Sequence, residues 1–270
     1  MLGSMVSGQI GSALAEKMFH RVGPGGAVLL RMIWAALLLL AIRRPILRGR
    51  SRVERLLLLA FGITVAGMNL AFYLSIDHIA LGTAVTIEFI GPLIVGFAGS
   101  RRPMDVVWVV LAACGIFLLT HGLSGHVSDL GLVFALIAGL FWAAYIVLSA
   151  RIGRTVDHGT TLTVGMTVAC ICVLPVGVAQ GGGQLLDPAG VALGAAVGAL
   201  SSAIPYAFEL QALRRISTPV FGVLMSLDPA VGALIGLAIL GQAMGLPSTA
   251  GIGLVVVTSA GVLRGGRIRQ

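Results

Sequence analysis

Four ionisable side chains fall inside long apolar runs of this chain: Arg31, Glu88, Glu209 and Asp228. A charge at the centre of a bilayer costs about 2.5 to 3.5 kcal/mol on insertion scales, so such residues are functional candidates by default. Glu88 stands four residues before Pro92, whose ring removes the helical hydrogen bond to the carbonyl of Glu88 itself. A carboxylate and a freed carbonyl are thereby expected near the middle of one membrane span. Asp228 directly precedes Pro229, which frees the carbonyl of Met225 in the same way. A structural hydrogen bond between helices is the competing reading for both carboxylates. Glu209 is five residues from Arg214, close enough to the surface to reach water or a loop arginine. Arg31 lies about a third of the way into its run, where it either snorkels to the outer headgroups or stands as a fixed charge. A planar guanidinium suits a substrate carboxylate. Asn69, Tyr73, Tyr145, Tyr206 and Trp142 are candidates to line a polar path, with packing as the alternative.

The elements that must position these groups follow from composition. Of 270 residues, 57% are hydrophobic and 10% charged, whereas soluble domains carry about 25% charged residues. Mean hydropathy is +1.03, which argues against a water-soluble enzyme. A hydrocarbon core needs about 20 apolar residues per crossing. Apolar runs separated by charged or Gly/Pro-rich breaks predict ten spans, near 1–18, 24–42, 55–76, 79–99, 104–121, 129–150, 160–180, 189–213, 217–240 and 246–263. Fifteen of the 18 basic residues then fall on one side: Arg43 to Arg55, Arg101 and Arg102, Arg151 and Arg154, Arg214 and Arg215, and Arg264 to Arg269. Only Lys17 and Arg21 occupy an opposite loop, so both termini are expected in the cytoplasm. The same placement removes the nucleic-acid reading of the +8 net charge, because no basic cluster sits in a folded soluble domain.

Shifted by 137 positions, the chain meets itself: Ile79 falls on Ile216 and Pro92 on Pro229. The expectation is an all-α integral membrane protein of ten transmembrane helices arranged as two inverted five-helix repeats, residues 1–121 and 129–264, with a basic cytoplasmic tail at 265–270. Five helices per copy is an odd number, so the second copy enters the membrane from the other side, and substrate sites in such proteins lie near the midplane between repeats. Gly190, Gly194 and Gly198, and Gly232 and Gly236, recur at four-residue spacing and suit close helix packing. Aligning the halves places the start of the sixth span opposite a point before Met1, so the first span is expected to continue upstream. The first 15 residues hold no Lys or Arg, so this run is expected to stay in the membrane.

Cys114, Cys170 and Cys172 lack paired spacing and read as buried thiols. No metal and no cofactor are expected, and Lys17 follows no glycine-rich run, which excludes a Walker loop. Gly122 to Gly125 resembles an intramembrane serine-protease motif but falls in an external loop, and Asp228 lacks the preceding glycine of an intramembrane aspartyl protease. A hydrolase built on Ser124 or Asp228 is the reading from another class.

Gly67 Met68 Asn69 and Phe72 to Ile76, Ala84 to Leu93 with Glu88 and Pro92 inside it, Ser100 to Pro103, Val107 to Ala112, and Phe221 to Ala230 resemble the EamA branch of the drug/metabolite transporter superfamily. Within it the chain is similar to the bacterial inner-membrane threonine and homoserine exporters. The resemblance covers nearly the whole chain, and Asp228 departs from it by standing where the family has glutamate. It implies efflux of small amino acids driven by protons. An amino acid is a zwitterion, so Arg31 for its carboxylate and Glu88 or Asp228 for its ammonium would complement both ends, with Asn69, Tyr73 and Tyr206 beside them. Glu88 is the expected proton-coupling group. The expected partners are a small-molecule substrate, an amino acid or related metabolite, and the lipid bilayer, with a homodimer as a further assembly. Export of another metabolite or drug is the alternative substrate reading.

Overall fold

The computed structural model describes residues 2–42, 45, 49–98, 107, 111, 114–115, 128–205 and 227–265. Every regular element among them is helical: α1 (Leu2–Glu16), α2 (Phe19–Ile42), α3 (Arg52–Ile76), α4 (Leu81–Glu88), α5 (Ile90–Ala98), α6 (Asp129–Ile152), α7 (His158–Gly181), a 3-10 turn (Gly182–Leu186), α8 (Pro188–Gly198), a π turn (Ala199–Ala203), α9 (Asp228–Leu240) and α10 (Leu246–Gly265). The fifth expected span, apart from four positions, and the span-nine segment before 227 lie outside the described residues, as do Tyr206 and Glu209. Four stretches, Phe19–Ile42, Arg52–Ile76, Asp129–Ile152 and His158–Leu186, are long and apolar enough to cross a membrane. The 24 residues of α6 reach about 36 Å, against about 30 Å of hydrocarbon.

Local chemistry sets the helix starts. Ser51 and Glu54 close a reciprocal capping box on α3, with Ser51 N–H donating to Glu54 Oε2 at 2.8 Å and Glu54 N–H to Ser51 Oγ at 3.2 Å. Asp157 caps α7 and Asp187 caps α8, the latter followed by Pro188 in the first turn. In α2 the regular helix begins after Gly23, whose φ of 68° explains the glycine. Pro24 follows, and Gln180 of α7 accepts from Gly25 N–H at 2.7 Å, supplying a cap from another helix.

The packing has a regular pattern. α2 lies along α7 and α4 along α9; α3 contacts both α6 and α7; α8 contacts α1 and α2; α6 also meets α4, and α1 meets α9. Exchanging α1 with α6, α2 with α7, α3 with α8 and α4 with α9 maps this set of contacts onto itself. Two ion pairs follow the same exchange. At one end of the bundle Arg21 meets Asp187 at 3.7 Å, and at the other Arg50 meets Asp157 at 3.5 Å. Asp187 is the 137-shifted equivalent of Arg50, and Asp157 falls within one residue of the equivalent of Arg21.

The core runs through α2, α3, α4 and the start of α7, with Leu29, Met32, Phe61, Tyr73, Ile87 and Met166 almost fully enclosed. Leu56, Leu59 and Ile63 of α3, Leu130, Val133 and Leu140 of α6, and Ile171 and Leu174 of α7 face outward. An apolar exterior of this extent suits lipid and not water. The same geometry corrects one expectation. Cys114 and Cys172 are exposed and Cys170 is half-buried, because a thiol inside a span is as well accommodated by lipid as by protein.

Candidate functional site

Arg31 points into the bundle. Its residue is 9% exposed, and three of its nitrogens have partners: Nε reaches Ser202 Oγ at 3.5 Å, Nη1 donates to the Tyr73 hydroxyl at 3.4 Å and Nη2 to the Ser201 carbonyl at 3.2 Å. The guanidinium carbon stands 5.6 Å from the Tyr73 ring centroid, a cation–π distance. Snorkelling to the headgroups is thereby excluded. Ser201 and Ser202 lie on the π turn that follows α8, a loosened register often found at functional sites. Close approach of that helix to α2 requires Gly198, where a Cβ would come 2.8 Å from Trp34 Cβ and 3.1 Å from the Arg31 carbonyl.

Glu88 ends α4 and is 8% exposed, and the helix is interrupted at Phe89 before α5 begins. This is where the missing donor of Pro92 leaves the Glu88 carbonyl without its helical partner. That carbonyl lies against Gly139 of α6, on which a Cβ would stand only 2.8 Å from it, and Gly91 abuts the Gly139 carbonyl in turn. Asp228 opens α9, with Pro229 in its first turn. The charges that act on the Glu88 carboxylate are Asp228, which repels it, and Arg31, which attracts it. Arg31 on α2 and Glu88 on α4 are thus buried charged residues of the bundle, and Asp228 on α9, which packs along α4, is partly buried.

Other candidates take simpler places. Asn69 is buried and its Nδ2 donates to the Val65 carbonyl at 2.8 Å, within its own helix. Trp142 meets Phe89 edge-on at 5.5 Å and Tyr145 tilts over Phe61 at 5.3 Å, the packing alternative for both. Three buried polar residues near these groups are not singled out by the sequence: Gln9, Ser201 and Ser202. An uncharged polar group within an apolar run was the signal available. A cavity of about 230 Å³ lined by Lys17, Arg21, Val22, Gly190 and others opens at the end of the bundle, about 14 Å along α2 from Arg31.

Helices with an apolar exterior around a buried charged centre define a multi-pass membrane protein. The chain belongs to the EamA-like transporter family, which matches residues 129–264. It is 40% identical over 264 residues to the threonine/homoserine exporter RhtA of Escherichia coli K12, covering 97% of this chain and 89% of that one. It is 42% identical over 247 residues to the threonine/homoserine exporter RhtA of Salmonella typhimurium LT2, covering 90% of this chain and 83% of that one. A crystal structure 18% identical in sequence superposes with a TM-score of 0.67, covering 100% of this chain and 98% of that one, and shares the fold. Family and relatives are transporters and not enzymes, which sets aside the hydrolase reading of Asp228 and Ser124; Ser124 itself lies outside the described residues.

Proposed function

We propose that this chain exports threonine, homoserine and similar small amino acids across the inner membrane by proton antiport, as a ten-span inverted repeat with both termini in the cytoplasm. The observation that carries the reading is the burial of Arg31 and Glu88 inside the bundle, with the partly buried Asp228 opening the neighbouring α9. An isolated zwitterion is costly to desolvate, and a site holding fixed charges of both signs lowers that cost at each end. Arg31 takes the substrate carboxylate, and Glu88, with Asp228 and the freed Glu88 carbonyl, takes the ammonium. A proton on Glu88 and a substrate ammonium compete for the same carboxylate, so occupancy by one excludes the other. That exclusion is the condition for antiport.

The inverted repeat is supported by the packing pattern that survives exchange of the halves and by the two ion pairs at equivalent positions. The names of the relatives supply the substrate class. Counterflow of labelled threonine in reconstituted vesicles tests the proposal: uptake driven by internal unlabelled threonine or homoserine supports it, and uptake equal to protein-free vesicles refutes it.

A further inference from the structure

Gln9 lies on α1, 7% exposed, with no hydrogen-bond partner for its Oε1 among the described residues. Its neighbours show where it points. A Cβ on Gly232 would lie 3.4 Å from Gln9 Oε1 and 3.2 Å from Val85 Cγ2. Gly232 is one helical turn after Asp228, and Val85 is one turn before Glu88. The amide therefore stands about 5 Å along the helix axes from both carboxylate-bearing residues.

The serine side chains of α1 are differently placed. Ser4 donates to the Pro205 carbonyl at 3.3 Å, Ser7 to the Leu200 carbonyl at 2.7 Å and Ser12 to the Gly8 carbonyl at 3.1 Å. Those hydroxyls join α1 to its neighbours or to itself, whereas the buried Gln9 oxygen has its desolvation uncompensated among the described residues. A group that arrives with the ligand can remove that penalty. Turned end for end, the amide would place a donor there instead. A hydroxyl, donor and acceptor at once, satisfies either arrangement.

We infer that Gln9 is a substrate-contacting residue that binds the side-chain hydroxyl of a hydroxy amino acid, selecting it over its deoxy analogue. The inference rests on the functional reading above and refines it. Arg31 and the carboxylates hold the ionic groups common to every amino acid; Gln9 reads the side chain. The absent side chain of Gly232 keeps that approach to the amide from being filled, since a Cβ there would already stand 3.4 Å from its oxygen. A site made to hydrogen-bond a hydroxyl discriminates against a ligand without one, because its own polar group is then left unpaired.

The test is competition against labelled threonine in counterflow by the full chain in vesicles, with threonine and 2-aminobutyrate, the deoxy analogue of both threonine and homoserine. The wild type should favour threonine by about tenfold. Gln9→Met, similar in length but without the amide, should weaken threonine by about tenfold and 2-aminobutyrate by less than about twofold, erasing the preference. Equal weakening of both, or an unchanged preference, overturns the inference while leaving the functional reading intact. Wild-type vesicles that carry no threonine overturn both. Should Gln9→Met fail to insert, Gln9→Cys with Cys114, Cys170 and Cys172 replaced by alanine is read by maleimide labelling: slowing by threonine supports the contact, and labelling at an unchanged rate overturns it.

Discussion

Arg31 and Tyr73 are joined twice, by the 3.4 Å hydrogen bond from Nη1 to the phenol oxygen and by the guanidinium carbon 5.6 Å from the ring centroid. Tyr73 is fully buried and itself wedged between Phe19 and Phe72, at centroid distances of 5.7 and 6.0 Å. An arginine side chain is rich in rotamers, and a site that needs its charge at one place must limit them. The tyrosine, with Ser201 and Ser202, does so.

Removing the phenol hydroxyl should therefore loosen the arginine without removing its charge. Tyr73→Phe is expected to raise the half-saturating threonine concentration by about three- to tenfold, the worth of one ordinary hydrogen bond, since this one is long at 3.4 Å. Arg31→Lys keeps the charge but loses the planar fork and should be more severe. The concentration dependence of counterflow measures both; a Tyr73→Phe variant indistinguishable from the wild type would show that the ring, not the bond, is what matters.

Gly139 is expected to tolerate no side chain, since its Cβ would stand 2.8 Å from the Glu88 carbonyl, whereas a Cβ on Gly253 of α10 would meet no neighbouring atom of the described residues within 4 Å. Gly139→Ala should destabilise the protein by about 1 to 3 kcal/mol through overpacking, and Gly253→Ala should not. Thermal unfolding in detergent compares them, and equal midpoints would remove the close contact from the account.

The interruption near Glu88 was legible in the sequence because proline chemistry is local: a residue four places ahead of Pro92 loses its acceptor's partner in any helix. The direction of Arg31 was not legible. Its position admits both headgroups and interior, and the choice depends on Ser201, Ser202 and Tyr73, which are 170, 171 and 42 residues away. The π turn carrying the two serines has no marker in a run of small residues. Gln9 was not legible for a different reason: an uncharged amide raises no insertion penalty comparable to a carboxylate, and its approach to Gly232 and Val85 is a contact distant in sequence. The cysteines show the limit of equating apolar runs with a protein interior, since one face of a span meets lipid.

The two ends of the bundle separate the Arg21–Asp187 pair from the Arg50–Asp157 pair. With native cysteines replaced, a cysteine at position 21 should label from outside intact cells and one at position 154 only after the membrane is opened. The reverse pattern would invert the orientation, and with it the direction assigned to export.

Asp228→Asn should reduce transport less than the matching change at Glu88. Asp228 opens a helix whose N-terminus stabilises it in a purely structural role as well. Initial rates at saturating threonine provide the comparison, and a complete loss confined to the aspartate would exchange the roles of the two carboxylates.

The central claim is that Glu88 carries the proton that exchanges for the substrate. Glu88→Gln preserves shape and hydrogen bonding but removes the exchangeable charge. Threonine accumulation in vesicles under an imposed pH gradient is the direct measurement. The variant should insert and fold as the wild type does, yet lose gradient-driven accumulation, because the site no longer holds an exchangeable proton. Accumulation at the wild-type rate and with the wild-type pH dependence would contradict it and leave Glu88 as an interhelical hydrogen-bonding group.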